Sequence, residues 1–143
     1  MTKDSAPADV DPAAEEGSEI TAVTATAVFP ISENLGIISR GYSEYHKALD
    51  IAAPIGTKAL AMLDGTVEET GFATKEGNYV IVRVSEATLY RYNHLDSVAV
   101  KTGDTVKAGD KLGEVGSTGL STGPHLHVEY IVNGESIQVF NEN

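Results

Sequence analysis

The sequence contains no cysteine among its 143 residues. Cysteine nucleophiles, thiolate metal ligands and disulfide bonds are therefore all excluded. Basic residues are also scarce, since 10 lysines and arginines stand against 21 acidic residues and give a net charge of −11. Binding to a phosphate backbone depends on clustered lysine and arginine, so we expect no nucleic-acid partner.

Long apolar runs are missing as well. The apolar stretch from Ile20 to Ile31 is shorter than the roughly 18–20 residues that a membrane-spanning helix needs. No basic segment followed by an apolar core marks a signal peptide near Met1. We therefore expect membrane contact only through a segment absent from this chain.

The chain divides into two parts by composition. Residues 1–19 are dominated by Ala, Pro, Ser, Gly and acidic residues, and they offer too little apolar surface to offset the entropy of ordering. This part is predicted to be a disordered acidic tail or linker. Residues 20–143 are predicted to form the folded domain, with Thr21–Phe29 as an opening strand or a partly ordered linker.

Short β-favouring runs separated by glycines fill the predicted domain. Tyr79–Val84, Thr88–Tyr92 and His127–Val132 are examples, and no stretch offers a long amphipathic helix. This pattern predicts an all-β fold, with short antiparallel strands in a sandwich or barrel-like core and glycine-rich turns. Asp64-Gly65 and Asn133-Gly134 are each predicted to form a hairpin turn.

Histidine is rare, and its positions suggest a common site. The four histidines are His46, His94, His125 and His127. On a strand, residues i and i+2 point to the same face about 6.5–7 Å apart, so the imidazoles of His125 and His127 can converge. A lone H-x-H pair is more often two polar residues on the solvent-exposed face of a strand.

A carboxylate follows the first histidine at a spacing of four, in His46-x-x-x-Asp50. A straight strand would place these two residues about 13 Å apart, so ligation of one ion requires a bend or helical turn between Lys47 and Leu49. One histidine of the H-x-H pair would complete three protein ligands and leave one tetrahedral position open, as in catalytic zinc sites. Spacing alone does not choose between His125 and His127.

Three motifs in order carry a family resemblance. They are His46-x-x-x-Asp50, then Tyr92-Asn-His94-Leu, then Gly116-Ser-Thr-Gly-Leu-Ser-Thr-Gly-Pro-His125-Leu-His127. This arrangement resembles the M23 family of metallopeptidases, the LytM/lysostaphin-type endopeptidases. The likeness extends from about Asn34 to Gly134.

The resemblance implies a division of roles. By similarity, His46, Asp50 and His127 would ligate Zn²⁺, while His94 and His125 would be the catalytic residues. It further implies a zinc endopeptidase that cuts the stem peptides or cross-bridges of peptidoglycan. Such a protein would act outside the cytoplasm, at the cell surface or cell wall, and be membrane-anchored in its full-length form.

One position departs from the family pattern, because Ala48 stands where these proteins commonly have glycine. If that position required a positive φ, alanine would strain the backbone by on the order of 1 kcal/mol.

Two rival interpretations accompany the peptidase. Glycine turns repeat weakly between residues 55–67 and 100–115, as in biotinyl or lipoyl carrier domains. Such a domain needs a modified lysine at a hairpin tip, for which Lys111 is the nearest candidate. The second rival is a non-catalytic scaffold of the same fold that binds a partner protein in cell division or sporulation. Retention of all the motif residues favours the enzyme.

Overall fold

The computed structural model describes residues 27–32 and 34–140. The predicted tail over residues 1–19 and most of the predicted strand Thr21–Phe29 lie outside the described residues. The last three residues of that stretch are described and form no strand. They are nevertheless attached to the domain, because Val28 N–H donates to the Met62 carbonyl at 2.9 Å.

Strands alone make up the regular secondary structure of the described residues. The ten strands are β1 (Ile37–Arg40), β2 (Leu49–Ala52), β3 (Lys58–Leu60), β4 (Gly65–Ala73), β5 (Gly77–Arg83), β6 (Thr88–Val98), β7 (Thr105–Val106), β8 (Lys111–Val115), β9 (His125–Val132) and β10 (Glu135–Ile137). No helix occurs in this part of the chain, and therefore none that could cross a membrane. The all-β prediction is confirmed.

All strand pairings are antiparallel. The main order is β1-β2-β9-β6-β5-β4-β7, with β10 beside β9, and with β8 joining β3 to β6. This sheet places β2 and β9 side by side, although more than 70 residues separate them in sequence. The strands that carry Asp50 and the H-x-H pair are thus direct neighbours.

Strand β6 changes its partner at His94. Its residues up to Asn93 pair with β9, and from Leu95 onward it pairs with β8. His94 itself has φ 65°, and its N–H donates to the Glu76 carbonyl at 2.8 Å instead of joining either ladder. A left-handed conformation is uncommon outside glycine, so the strand junction fixes the direction of this side chain.

One face of the central strands forms the core. Alternate residues of a strand point to opposite faces, and the core-facing set is almost fully buried. It comprises Leu49, Ile51, Val80, Val82, Tyr90, Tyr92, Leu126, Val128 and Tyr130. Tyr92 belongs to this set and donates its hydroxyl to the Leu60 carbonyl at 2.7 Å, so it serves packing and does not line the site.

The two predicted hairpins have different outcomes. Asn133 and Gly134 connect β9 to β10 with positive φ at both residues, which confirms a two-residue hairpin. The Asp64-Gly65 prediction is wrong, because β3 pairs with β8 while β4 pairs with β5 and β7. Gly65 is needed for close approach instead, since a Cβ there would lie 2.5 Å from the Arg83 carbonyl oxygen.

The lysine considered for a carrier domain lies away from any hairpin tip. Lys111 begins β8 and pairs with Leu60 of β3. Its ammonium group lies 3.0 Å from the carboxylate of Glu114. A position within a paired strand does not match a modification site at a hairpin tip.

Candidate metal centre and active site

The site is built on the face of the sheet opposite the core. Asp50 of β2 pairs with His127 of β9, which in turn pairs with Asn93 of β6. Directly paired residues point to the same face. Asp50, His127 and Asn93 therefore form a row of polar side chains across three strands. His125 lies two residues before His127 and points to the same face, as the H-x-H spacing predicts.

A bend brings His46 to Asp50. His46 and Ser43 form an isolated bridge around a two-residue turn, and the chain bends at Ala48 before β2 begins at Leu49. His46 Nε2 consequently lies 3.3 Å from Asp50 Oδ2. The required bend between Lys47 and Leu49 is thus present.

Ala48 is accommodated without backbone strain. It is buried, and it is not among the residues with positive φ. The expected cost of replacing a left-handed glycine therefore does not arise here.

Three of the four histidines lie within 4 Å of the Asp50 carboxylate. Its Oδ1 atom lies 2.9 Å from His127 Nδ1 and 3.9 Å from His125 Nε2. All these side chains are mostly buried, between 11% and 18% exposed. The sequence-predicted ligands His46, Asp50 and His127 are therefore brought together at one point.

The two remaining histidines lie beside this point. The His94 ring centroid is 5.0 Å from that of His125 and 5.8 Å from that of His127. His94 Nδ1 lies 2.7 Å from the Thr118 carbonyl oxygen, and His125 Nδ1 lies 2.9 Å from that of Gly123. A carbonyl only accepts, so each Nδ1 carries the proton in these bonds. In that tautomer, Nε2 of each ring carries the lone pair.

The donor set fits a divalent metal ion. Among the residues that the structure describes, two groups of three have ligand atoms within 4.8 Å of one another: His46, Asp50 and His127, and also His94, His125 and His127. The first group combines two imidazoles with a carboxylate, which is a common catalytic zinc set. His46 Nε2 is buried and has no hydrogen-bond partner, although it faces Asp50. An unsatisfied buried nitrogen aimed at a carboxylate is what a ligand atom looks like without its ion.

Charge coupling ties Asp50 to His127. Burial opposes protonation of His127, but hydrogen bonds to Asp50 and Glu129 outweigh it and raise the pKa of His127 to about 9. Burial would raise the pKa of Asp50, yet the same bond and the surrounding histidines lower it. Without a metal ion, these two shifts favour a carboxylate on Asp50 beside an imidazolium on His127.

The pKa values of His94 and His46 shift in the opposite direction to that of His127. Burial lowers the pKa of His94, more than the hydrogen bond to Thr118 raises it. Burial also lowers the pKa of His46, against the attraction of Asp50. Both rings are therefore neutral at pH 7, which suits a proton acceptor and a metal ligand.

The loop over residues 116–123 contacts both His94 and His125. Thr118 Oγ1 donates to the Leu95 carbonyl at 2.7 Å, directly after His94 in β6. Leu120 N–H donates to the Lys75 carbonyl at 2.9 Å, which ties the loop to the turn between β4 and β5. Ser121 Oγ donates to the Gly123 carbonyl and lies 3.3 Å from His125 Nδ1.

Sequence reasoning did not predict the contacts that Thr118, Gly123 and Glu129 make with the histidines. Thr118 and Gly123 act through backbone carbonyls, which leave no mark in a sequence. Glu129, whose carboxylate lies 2.9 Å from His127 Nε2, does have a signal. It follows His127 at the i+2 spacing that places a residue on the same strand face.

Comparison with known proteins places the chain in a family. The model of peptidase family M23 matches residues 44–139. A curated relative, the peptidoglycan DD-endopeptidase ShyC of Vibrio cholerae, is 45% identical over 94 residues. That match covers 66% of this chain and 22% of ShyC, so the chain spans about a fifth of that relative's length.

Solved structures agree with this placement. A zinc-containing peptidase from Vibrio cholerae superposes with a TM-score of 0.76 at 30% identity, covering 80% of this chain and 39% of that one. Lysostaphin from Staphylococcus simulans gives a TM-score of 0.63 at 34% identity, covering 73% of this chain and 46% of that one. With the family match extending over most of the described residues, the chain belongs to peptidase family M23.

Proposed function

We propose that this chain is a zinc-dependent endopeptidase domain that hydrolyses peptide bonds in the stem peptides or cross-bridges of peptidoglycan, outside the cytoplasm. The observation that carries the proposal is the convergence of His46, His125 and His127 on Asp50, with His94 beside His125 and His127. The family's peptidase activity and the peptidoglycan substrate of ShyC support the choice of substrate.

His46, Asp50 and His127 would hold the metal. His46 would bind through Nε2 and His127 through Nδ1, because these atoms face the two oxygens of Asp50. When bound, zinc would supply Lewis acidity that polarises the scissile carbonyl and acidifies the attacking water. Three protein ligands leave a coordination position for water and substrate.

His94 and His125 would move the protons. Their Nδ1–H groups are engaged by backbone carbonyls, so in this tautomer each ring presents an Nε2 lone pair that can accept the proton of the attacking water. Once protonated, that Nε2–H can donate to the developing oxyanion and then to the leaving amine. The two carbonyls keep the rings oriented throughout this exchange.

The non-catalytic scaffold is less favoured, because the residues proposed for metal binding and catalysis are all present and lie close together. A partner-binding module has no need for a buried His46 Nε2 without a hydrogen-bond partner. It also has no need for two histidines held in one tautomer beside a metal-ligand set.

The metal assignment is tested by zinc content and affinity. We expect stoichiometric zinc in the purified protein and its loss in His46→Ala, since one of three ligands is removed. Tyr45→Ala is the matched control, because Tyr45 is the exposed sequence neighbour and belongs to neither ligand group. Full zinc retention in His46→Ala would contradict the assignment.

The reaction is tested on purified peptidoglycan. We expect peptide fragments with new amino termini, and no release in the presence of a chelator. His94→Ala and His125→Ala should keep zinc but release fragments at least about 100-fold more slowly, as is typical for loss of a general acid–base group. A zinc-loaded wild-type protein that releases nothing would turn the assignment towards the scaffold.

A further inference from the structure

His127 lies between two carboxylates. Its Nδ1 atom is 2.9 Å from Asp50 Oδ1, and its Nε2 atom is 2.9 Å from Glu129 Oε2. Both contacts have hydrogen-bond geometry, so both nitrogens of the ring are used. The side chain of His127 is 18% exposed and that of Glu129 is 28% exposed, so water competes little for either bond.

Glu129 lies behind His127 and does not belong to either potential metal group. The two groups of converging ligand atoms contain Asp50 and the histidines but not Glu129. A metal bound at Nδ1 requires the remaining ring proton to sit on Nε2. Glu129 Oε2 is the acceptor at that atom.

The neighbouring strand carries a positive charge beside Glu129. Arg91 of β6 pairs directly with Glu129 of β9 and points to the same face. The Arg91 guanidinium stacks 4.6 Å from the Tyr79 ring centroid, and its Nε donates to Asn93 Oδ1 at 2.9 Å. This guanidinium places a positive charge on the sheet face that carries the Glu129 carboxylate, which suits a carboxylate that accepts a hydrogen bond.

We propose that Glu129 is a positioning residue for the metal centre, which accepts the Nε2–H bond of His127 and thereby presents Nδ1 to the ion. This inference rests on the proposed zinc site and adds a residue to it. Carboxylates behind a ligating histidine orient the ring and increase its basicity, and their loss typically costs about 10–100-fold in metal affinity.

Zinc affinity in competition with a chelator tests the proposal. Glu129→Met removes the acceptor while keeping the length of the side chain, and we expect at least a tenfold weaker zinc affinity. Glu129→Gln keeps an acceptor oxygen without the charge, so its affinity should lie between those of Glu129→Met and the wild type. Glu114→Gln is the matched control, because Glu114 lies on β8 and forms an ion pair with Lys111. This substitution should leave the zinc affinity unchanged.

A second readout follows the bond itself. In the zinc-loaded wild type, the His127 Nε2–H proton should be visible by NMR and protected from exchange, and in Glu129→Met it should exchange rapidly. A folded Glu129→Met protein with wild-type affinity and a protected Nε2–H would overturn the role of Glu129. Failure of the zinc site is distinguishable, because His46→Ala would then bind as much zinc as the wild type.

Discussion

At the scale of single residues, Asp50 and His127 determine the charge of the site. In the metal-free protein, the proton of His127 compensates the Asp50 carboxylate, and Glu129 shares the same ring. A cation bound at Nδ1 would take over this compensation. Metal ion and proton therefore compete for one nitrogen, and zinc binding near neutral pH should release a proton.

The same proton gives the metal-free protein a pH-dependent stability. The pKa of His127 is raised from 6.5 to about 9, so the folded state binds more protons than the unfolded state between these values. The full contribution of His127 to the free energy of unfolding should thus be present below pH 6.5. It should fall as pH rises towards 9, by at most about 1.4 kcal/mol per pH unit. Denaturant unfolding in a chelator at pH 7 and at pH 9.5 measures this change.

His127→Gln is the comparison for that experiment. It removes the titrating group and should give a nearly flat profile over the same pH range. The lowered pKa values of His46 and His94 affect stability only below about pH 6.5, so they do not confuse the result. A wild-type profile as flat as that of the variant would contradict a protonated His127.

Individual residues differ in how far the sequence predicts them. His46, Asp50 and the H-x-H pair could be recognised by residue type and spacing, although family resemblance was needed to separate His125 from His127. His94 had no distinguishing spacing, because its direction comes from a change of strand partner. That change depends on residues distant in sequence.

At the scale of elements, the loop over residues 116–123 interlocks with the β4–β5 turn. Gly119 has φ 74°, and a Cβ there would lie 2.3 Å from Gly77 N and 2.7 Å from the Lys75 carbonyl oxygen. These neighbours are backbone atoms that cannot rotate away. The loop and the turn therefore hold each other, and the loop in turn holds the His94 ring through Thr118.

We expect Gly119→Ala to displace this loop. It should lower the unfolding free energy by more than the ~1 kcal/mol typical of alanine at positive φ. It should also slow peptide release, because the Thr118 carbonyl moves away from His94. Thermal unfolding and the peptidoglycan assay measure the two effects.

Gly103→Ala is the matched control for the loop variant. Gly103 also has a positive φ, 97°, but a Cβ there would meet nothing within 4 Å. Gly103→Ala should lower the unfolding free energy by the ~1 kcal/mol typical of alanine at positive φ. Its rate of peptide release should equal that of the wild type. Equal effects of the two substitutions on activity would contradict the interlock.

Two Xaa-Gly dipeptides show why elements were only partly predictable. Asn133-Gly134 closes a hairpin, whereas Asp64-Gly65 does not. Asp64 instead accepts the Ala108 N–H at 2.8 Å, and Gly65 pairs with Val106. Both partners lie about 40 residues away, so local turn chemistry was overridden by contacts that no local pattern contains.

At the scale of the whole molecule, the predicted boundary near residue 20 can be tested by deletion. Removing residues 2–19 should leave the unfolding midpoint unchanged, since their composition offers little apolar surface. Ile31→Ala should cost about 2–5 kcal/mol, because Ile31 is 1% exposed within the core. A deletion as destabilising as Ile31→Ala would place the boundary earlier in the chain.

The alternation of strand β9 has a consequence for how the protein matures. Leu126, Val128 and Tyr130 enter the core, while His125, His127 and Glu129 interleave with them on the other face. A slip of one residue would exchange the two sets and bury the polar groups while exposing a tyrosine. A copy with β9 slipped by one residue would therefore also lose the proposed zinc ligand His127 from this face, so zinc content should report whether the strand register is correct.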